Sequence, residues 1–400
     1  MTDRPVSLGG SPIFDNKIEI VRPVLPAFEE LEAEIQDILR SGMVTKGRHV
    51  AAFEQAVAAH LGVKNAVAVS SCTLGLMLTY RGLGLTGDVI VPSFTFMASV
   101  SSLVWSGLKP VFADVDLHTT NIDPAAVEYA ITPSTTAILA VHNFGNPAKI
   151  DELSEIAKKC GLRLIFDAAH GFGALYRGVP VGPQGTAHVY SLSPTKLLIA
   201  GEGGIVATND DSLAERIRIG REYGNDGNYG SDFAGLNARM PELSALMGIH
   251  SLRNLEQAAQ HRNRVADLYR RELGRLRGIS FQKIADGNRS SYREFSILVD
   301  EDSFGLNRDQ LALAMTAENI DTRKYYDPPV HRHMAYKGFA PSEASLCCTE
   351  MLASRSLSLP MWSHMSDRVL SGICRAIRRI HECAPQVKNV LDPQMASSAT

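Results

Sequence analysis

Between Ala66 and Thr208 the chain repeats one alternation: a short, apolar, β-branched run, then a segment of helix length. The runs are AVAVS, DVIVPS, VFADVD, AILAVH, RLIFD, HVYSL and GIVAT. Near-continuous apolar strands are what a sheet buried on both faces requires, and the intervening helices supply the crossovers that make such a sheet mostly parallel. The pattern therefore predicts an α/β chain with a mostly parallel, seven-stranded sheet. Ligands of such sheets sit at the carboxyl ends of the strands. That selects Ser70 to Thr73, Ser93 to Phe96, His142, Asp167 to His170 and Ser191 to Lys196 as residues expected to converge on one crevice.

The flanking segments are helical. Residues 1–20 read as a flexible lead-in, followed by a helix in which Phe28, Leu31, Ile35, Ile38 and Leu39 recur at helical spacing, and by a second, from about Gly47 to Leu61, with Val50, Phe53, Val57 and Leu61 on one face. Between them lies the short loop Met43 to Gly47. After Thr208 a long helix or two is expected from about Pro241 to Leu276. A strand at FSILV, a helix near Arg308 to Glu318 and an amphipathic helix near Asp367 to Cys383 then make a smaller α/β unit. The expected division is a large domain over 21–250, a smaller one over 251–388 and a tail over 389–400.

A net charge of −3 offers no basic patch to a polyanion, so neither nucleic acid nor a membrane surface is an expected partner. The uncharged stretch Val89 to Leu108 is long enough to raise the question of a membrane span, but Pro92, Gly107 and its many hydroxyls fit a buried strand, loop and helix better. The six cysteines lack CxxC spacing. No disulfide framework and no metal site is expected, and reduced thiols in a cytoplasm are the natural state. No secretory signal is read at the N-terminus.

The chemistry concentrates in FDAAHGFGALYRGVPVGPQGTAHVYSLSPTKLLIAGEGG, from Phe166 to Gly204. Asp167 ends an apolar run. On its own it is equally a helix N-cap, but a strand-end carboxylate can also hold a pyridine nitrogen protonated. Lys196 is followed by Leu197, Leu198, Ile199 and Ala200, apolar surroundings that lower an amine's pKa toward its nucleophilic form. Such an amine can form a Schiff base with an aldehyde cofactor and, once released, act as the general base of a proton shift. Together they point to pyridoxal phosphate. Its phosphate needs backbone N–H donors and hydroxyls at a helix start, which Ser70-Ser71-Cys72-Thr73 offers and to which Ser191 can add. Phe96 is placed to stack on a pyridine face, although an aromatic in an apolar run is as readily core.

With those residues in place, the chain resembles the DegT/DnrJ/EryC1/StrS family of sugar aminotransferases, which are fold-type I pyridoxal-phosphate enzymes. The resemblance runs from RPVLP through SGMVTKG, VAVSSCTLGL, VPSFTF, FADVD, NIDP, FDAAH, YSLSPTK, GEGG, GLNARMPEL and YYDPPVH to LSLPMW. It implies that Lys196 is the Schiff-base lysine, that Asp167 partners the pyridine nitrogen and that Phe96 stacks on the ring. It places His170 near the cofactor's phenolic oxygen and Cys72, Thr73 and Ser191 at the phosphate. Asn237 corresponds to an asparagine that reaches the neighbouring subunit's cofactor, so a homodimer with shared sites is implied. Cys72 departs from the family, which commonly has Gly there. Thr45, Lys46, Tyr326 and His331 fall in loops that correspond to the sugar side.

The resemblance implies transfer of an amino group from an amino acid, glutamate above all, through a pyridoxamine phosphate form to the keto group of a nucleotide-linked sugar. The same chemistry on a cyclitol ketone or another antibiotic-pathway carbonyl is the alternative. A related sugar dehydratase branch has histidine in place of the lysine, so Lys196 argues against it. A non-catalytic homologue would have lost the lysine, the carboxylate or the phosphate turn, and all three are here.

Overall fold

The computed structural model describes residues 4–228, 230–341 and 345–398, without the side chains of 393–398. In chain order, helices α1 (Glu32–Ser41) and α2 (Arg48–Leu61) precede β1 (Asn65–Val69) and α3 (Cys72–Gly82). Then come β2 (Asp88–Pro92), α4 (Met97–Trp105), β3 (Lys109–Ala113), α5 (Pro124–Ala130), β4 (Thr135–Val141), α6 (Ile150–Cys160) and β5 (Arg163–Asp167). A two-residue-stranded hairpin, β6 (Leu175–Tyr176) and β7 (Val179–Pro180), leads to β8 (Ala187–Ser191), β9 (Gly204–Thr208) and α7 (Asp211–Gly220).

The seven expected strands form one sheet in the order β1-β9-β8-β5-β4-β2-β3. All neighbours pair in parallel except at β9, which runs antiparallel to both β1 and β8. The sheet is buried from both sides. Phe53, Ile90, Ile138, Phe166 and Tyr190 belong to the apolar cluster on one face, and Val67, Val91, Leu139, Ile165 and Val189 to that on the other. The alternation of the two sets along each strand shows why these runs are mostly apolar on both faces. The uncharged stretch from Val89 is the buried strand β2, its following loop and α4. No helix among the described residues is long and apolar enough to cross a membrane.

Two helices, α8 (Glu242–Arg253) and α9 (Leu255–Leu273), meet at Asn254 and lead to the C-terminal region. There β10 (Ile279–Phe281), β11 (Phe295–Val299) and β12 (Ser356–Leu359) form an antiparallel sheet. It packs with α10 (Glu301–Phe304), α11 (Arg308–Ala317), α13 (Asp367–Glu382) and α14 (Ala384–Ser398) around a second apolar core, while α12 (Cys347–Arg355) packs Leu352 and Ala353 in a separate cluster with Phe94, Phe144 and Tyr326. Leu370, Ile373, Ile377 and Ile380 set the buried stripe of α13.

The structure differs from the sequence reading at three places. Residues 4–20, expected to be flexible, are tied down. Ile18 exchanges backbone hydrogen bonds with Asn319 and Asp321, and the buried carboxylate of Glu318 accepts from Val6 N and Ile13 N while pairing with Arg379. The tail from residue 389 continues α14 as far as Ser398, because Val387 and Leu391 bury into the second core; residues 399–400 lie outside the described residues. On α1 the apolar face is narrower than its periodicity suggests. Leu31 and Ile38 are buried, whereas Phe28 and Leu39 face outward.

Candidate active site

A cavity of about 370 Å³ opens at the carboxyl ends of β1, β2, β4, β5 and β8. The chain reverses from strand to helix or loop at each of these ends, so each contributes side chains without disturbing the sheet. Ser71, Cys72 and Thr73 come from the turn after β1, and Thr95, Phe96 and Ala98 from that after β2. Val141 ends β4, while Asp167, Ala169 and His170 follow from β5. Ser191, Ser193, Thr195 and Lys196 follow from β8.

Asp167 is buried against neutral donors. Ser99 Oγ donates to Oδ2 at 2.7 Å, Ala169 N to Oδ1 at 3.0 Å, and the Cys72 thiol approaches Oδ1 at 3.9 Å. Burial raises the carboxyl's pKa, and the Ser99 hydroxyl, the Ala169 amide and the Lys196 charge pull the other way. Lys196 lies on the loop between β8 and β9, held by its backbone N–H to Ser193 O at 3.0 Å, with Leu197 to Ala200 buried behind it. Burial, reinforced by the Arg293 guanidinium, brings its amine from 10.5 down to about 8. The same lysine also borders a second hollow of about 400 Å³ beneath the strap Pro23 to Ala27.

The N-terminus of α3 faces the cavity. Ser71 caps it, its Oγ accepting from Leu74 N at 3.2 Å. Gly204, at the start of β9, packs so closely that a Cβ there would stand 2.6 Å from Ser71 C and 2.7 Å from Cys72 N. The Gly-rich stretch thus presses the turn into shape. Cys72 lies with its thiol 3.4 Å from Val189 O, and burial pushes that thiol well above its ordinary pKa, so it is a neutral group beside the turn. Phe96 is an exposed aromatic (53%) on the cavity wall, not a core residue. His170 Nδ1 is buried without a partner, and burial with the nearby Lys196 and Arg293 charges holds the imidazole neutral.

Of the residues singled out from sequence, Cys72, Thr73, Phe96, Asp167, His170, Ser191, Lys196 and Tyr326 line this cavity. Four others do not. Asn237 is exposed, its side-chain oxygen accepting from Arg239. Thr45 makes an antiparallel bridge with Pro241, and Lys46 pairs with Glu222 at 3.3 Å on the rim of a separate hollow lined also by Arg218, Arg221 and Arg239. His331 is a buried link, Nδ1 to Ser93 Oγ at 2.7 Å and Nε2 to Glu350 Oε1 at 2.8 Å. His142, expected at the crevice, points away from it. Its ring stacks on Phe166 with centroids 4.9 Å apart, and burial lowers its pKa to about 3.

The sequence reading missed Ser99, which contacts Asp167 from the first turn of α4, and Arg293 and Glu294, which with Tyr325 bring the C-terminal region to the cavity. A charged Arg-Glu pair directly before the apolar run FSILV was the available signal. Among the described residues, ligating atoms of Asp114, Cys347 and Cys348 gather within 4.8 Å. That carboxylate is committed to the start of α12, accepting from Cys348 N at 2.9 Å and from Thr349 N and Oγ1 at 2.8 Å.

The chain is similar to known proteins along most of its length. The model of the DegT/DnrJ/EryC1/StrS aminotransferase family matches residues 27–378. The spore coat polysaccharide biosynthesis protein SpsC of Bacillus subtilis (strain 168) is 34% identical over 368 residues, 88% of this chain and 94% of that protein. The dTDP-3-amino-3,4,6-trideoxy-alpha-D-glucose transaminase of Streptomyces venezuelae is 36% identical over 367 residues, 90% of this chain and 95% of the transaminase. Among solved structures, DesI in the presence of its TDP-sugar product superimposes with a TM-score of 0.90 at 36% identity, covering 99% of this chain and 100% of that one.

Proposed function

Because this chain belongs to the DegT/DnrJ/EryC1/StrS aminotransferase family, we propose that it moves the amino group of an amino acid, with glutamate the expected donor, to the keto group of a nucleotide-linked deoxy sugar. Pyridoxal phosphate is the cofactor in this reading, and two copies of the chain share their sites. The observation that carries the proposal is one cavity at the strand ends walled by both a buried carboxylate, Asp167, and an amine lowered to about 8, Lys196. The relatives named for dTDP- and TDP-sugars support the substrate class.

The residues present fit the cofactor. Asp167 is a buried acid surrounded by neutral donors, which a protonated ring nitrogen would compensate. The unpartnered His170 Nδ1 is open to a phenolic oxygen. Phe96 offers an uncovered aromatic face, and the start of α3, with Ser71, Thr73 and Ser191, offers hydroxyls and a helix N-terminus to a phosphate. Lys196 is the covalent attachment point. When bound, pyridoxal phosphate supplies an electron sink for the pair left when a C–H bond next to nitrogen breaks.

The chain's own part is to orient and to move protons. Burial raises the Asp167 pKa, and Ser99, Ala169 N and the Lys196 charge oppose that rise; in its anionic form the carboxylate favours a protonated partner. Lys196 Nζ, lowered to about 8, exists in its neutral form in useful amount near neutrality and so can take a proton at one carbon and return it at another. The cavity's apolar wall of Val141, Phe96 and Ala98 limits water at the reacting atoms.

The test is a single-turnover assay. Protein loaded with pyridoxal phosphate is converted by glutamate, freed of small molecules and offered a panel of nucleotide keto sugars and cyclitol ketones. Return of the cofactor's original absorbance with a nucleotide keto sugar is the expected result. Response to a cyclitol ketone alone would overturn the substrate class, and no response to any amino acid would overturn the reaction.

A further inference from the structure

The cavity holds a charge pair that the proton chemistry above leaves unused. Arg293 Nη1 donates to Glu294 Oε1, and the two side chains are 8% and 3% exposed. Withdrawing two ions from water is recovered only if the remaining donors and acceptors are satisfied. Here they are not, because Arg293 Nε is buried with no hydrogen-bond partner. The backbone that carries the pair is fixed. Arg293 N donates to Phe144 O at 3.0 Å, Arg262 Nη1 donates to Arg293 O at 3.3 Å, and Ser291 Oγ donates to His170 O at 2.7 Å. Arg293, on a backbone so held and with Nε unpartnered, lines the same cavity as Lys196 and Asp167.

We propose that Arg293 binds the carboxylate of the amino-acid donor, and that Glu294 serves as its counter-ion whenever that donor is absent. The proposal rests on the aminotransferase reading above and adds to it the recognition of one substrate. A guanidinium edge meets the two oxygens of a carboxylate through paired N–H donors, so a free Nε is the vacancy that an incoming acid fills. Position favours the donor's carboxylate over a nucleotide's phosphates. In an α-amino acid the carboxylate is two bonds from the reacting nitrogen, so its binding group must stand close to Lys196, whereas a sugar ring separates a nucleotide's phosphates from the reacting carbon. Arg293 lines the same cavity as Lys196, and after burial its charge is the largest influence lowering that amine.

The pairing also answers a difficulty of the two-step reaction. One cavity must take an acid in the first half and a keto sugar in the second, and an unpaired buried guanidinium would penalise the second. Glu294 removes that penalty by closing onto Arg293 once the acid has left.

The test compares holoenzymes of the wild type, Arg293→Lys and the double variant Arg293→Gln, Glu294→Gln, which leaves no buried carboxylate unpaired. Half-saturation is read from the cofactor's visible absorbance, for glutamate in the first half-reaction and for the accepted keto sugar in the second. Loss of a charge-assisted contact predicts a glutamate half-saturation raised roughly ten- to hundredfold in the double variant, with the keto-sugar value moving less than about threefold. Arg293→Lys, which keeps the charge and loses the fork, is expected between the two. An amine without a carboxylate should not distinguish the double variant from the wild type. An unchanged glutamate value, or equal shifts for both substrates, would overturn the assignment while leaving the aminotransferase reading intact. A wild type inert to every amino acid would overturn that reading and this proposal with it.

Discussion

Ser99 Oγ donates to Asp167 Oδ2 across 2.7 Å. A hydroxyl from the first turn of α4 thus acts directly on the carboxylate that ends β5. Burial raises this acid's pKa, and the Ser99 hydrogen bond is the first of the effects that oppose it. Ser99→Ala should therefore leave burial less opposed, raise the pKa further and move the acid limb of the pH–rate profile for amino transfer to higher pH. Ser99→Thr, which keeps the donor, should leave the limb in place. An unmoved limb in the alanine variant would remove Ser99 from this role.

At Lys196 burial shifts the pKa in the opposite direction. Its amine is lowered from 10.5 to about 8 by burial. Above about pH 10.5 it is neutral folded and unfolded alike and carries no penalty. As the pH falls from there to 8 the unfolded chain takes up the proton first, and stability is lost. Below 8 the penalty is constant, at most about 3.5 kcal/mol at about 1.4 kcal/mol per unit, and smaller to the extent that solvent screens it. Cofactor-free Lys196→Met should accordingly be more stable than cofactor-free wild type at pH 7, and the difference should close between pH 8 and 10.5. Denaturant unfolding across that range checks it; a difference independent of pH would contradict the mechanism.

Gly204→Ala tests the pressed turn. The new Cβ would meet only backbone, 2.6 Å from Ser71 C, 2.7 Å from Cys72 N and 2.8 Å from Ser71 O, so no side chain can swing aside. We expect a stability loss of about 1–3 kcal/mol, the usual range for overpacking, together with weaker retention of pyridoxal phosphate. Thermal unfolding and cofactor titration measure the two. Unaltered retention would detach the start of α3 from the phosphate.

Glu242 organises the loop between α1 and α2. Its buried carboxylate accepts from Gly47 N and His49 N at 2.8 Å each and from Val50 N at 3.1 Å, and also meets His49 Nδ1 at 3.0 Å. It caps α2 from across the chain, a task that Gly47 at the N-cap has no side chain to perform. Glu242→Ala leaves those amides unpaired and should cost about 2–4 kcal/mol, with Glu242→Gln costing less because an amide oxygen can still accept. Chemical denaturation of both variants is the measurement.

The fold was legible wherever burial acts on consecutive residues. Strands such as Thr135–Val141 and Gly204–Thr208 have neighbours on both faces, so their composition alone announces them. Order at the two ends was not legible. Residues near Ile18 and Val387 look unremarkable until Asn319, Glu318 and the second core are brought against them. At the site, strand ends made Cys72, Phe96, Asp167 and Lys196 findable from the repeating pattern. The pattern could not tell which strand-end side chains turn inward, so His142 was counted with them although it stacks on Phe166; His331 entered through the resemblance and instead ties Ser93 to Glu350.

By itself, then, the sequence determined the sheet, the acid at the end of β5 and the amine within an apolar stretch, because local burial and strand periodicity leave direct marks on composition. Only the tertiary structure decided what those two groups feel. Ser99 reaches Asp167 from another strand's crossover, and Arg293 reaches the neighbourhood of Lys196 from a region almost a hundred residues further along. Electrostatic influence depends on distance through space and on the exclusion of water. Neither is written into the order of residues until the chain has closed on itself.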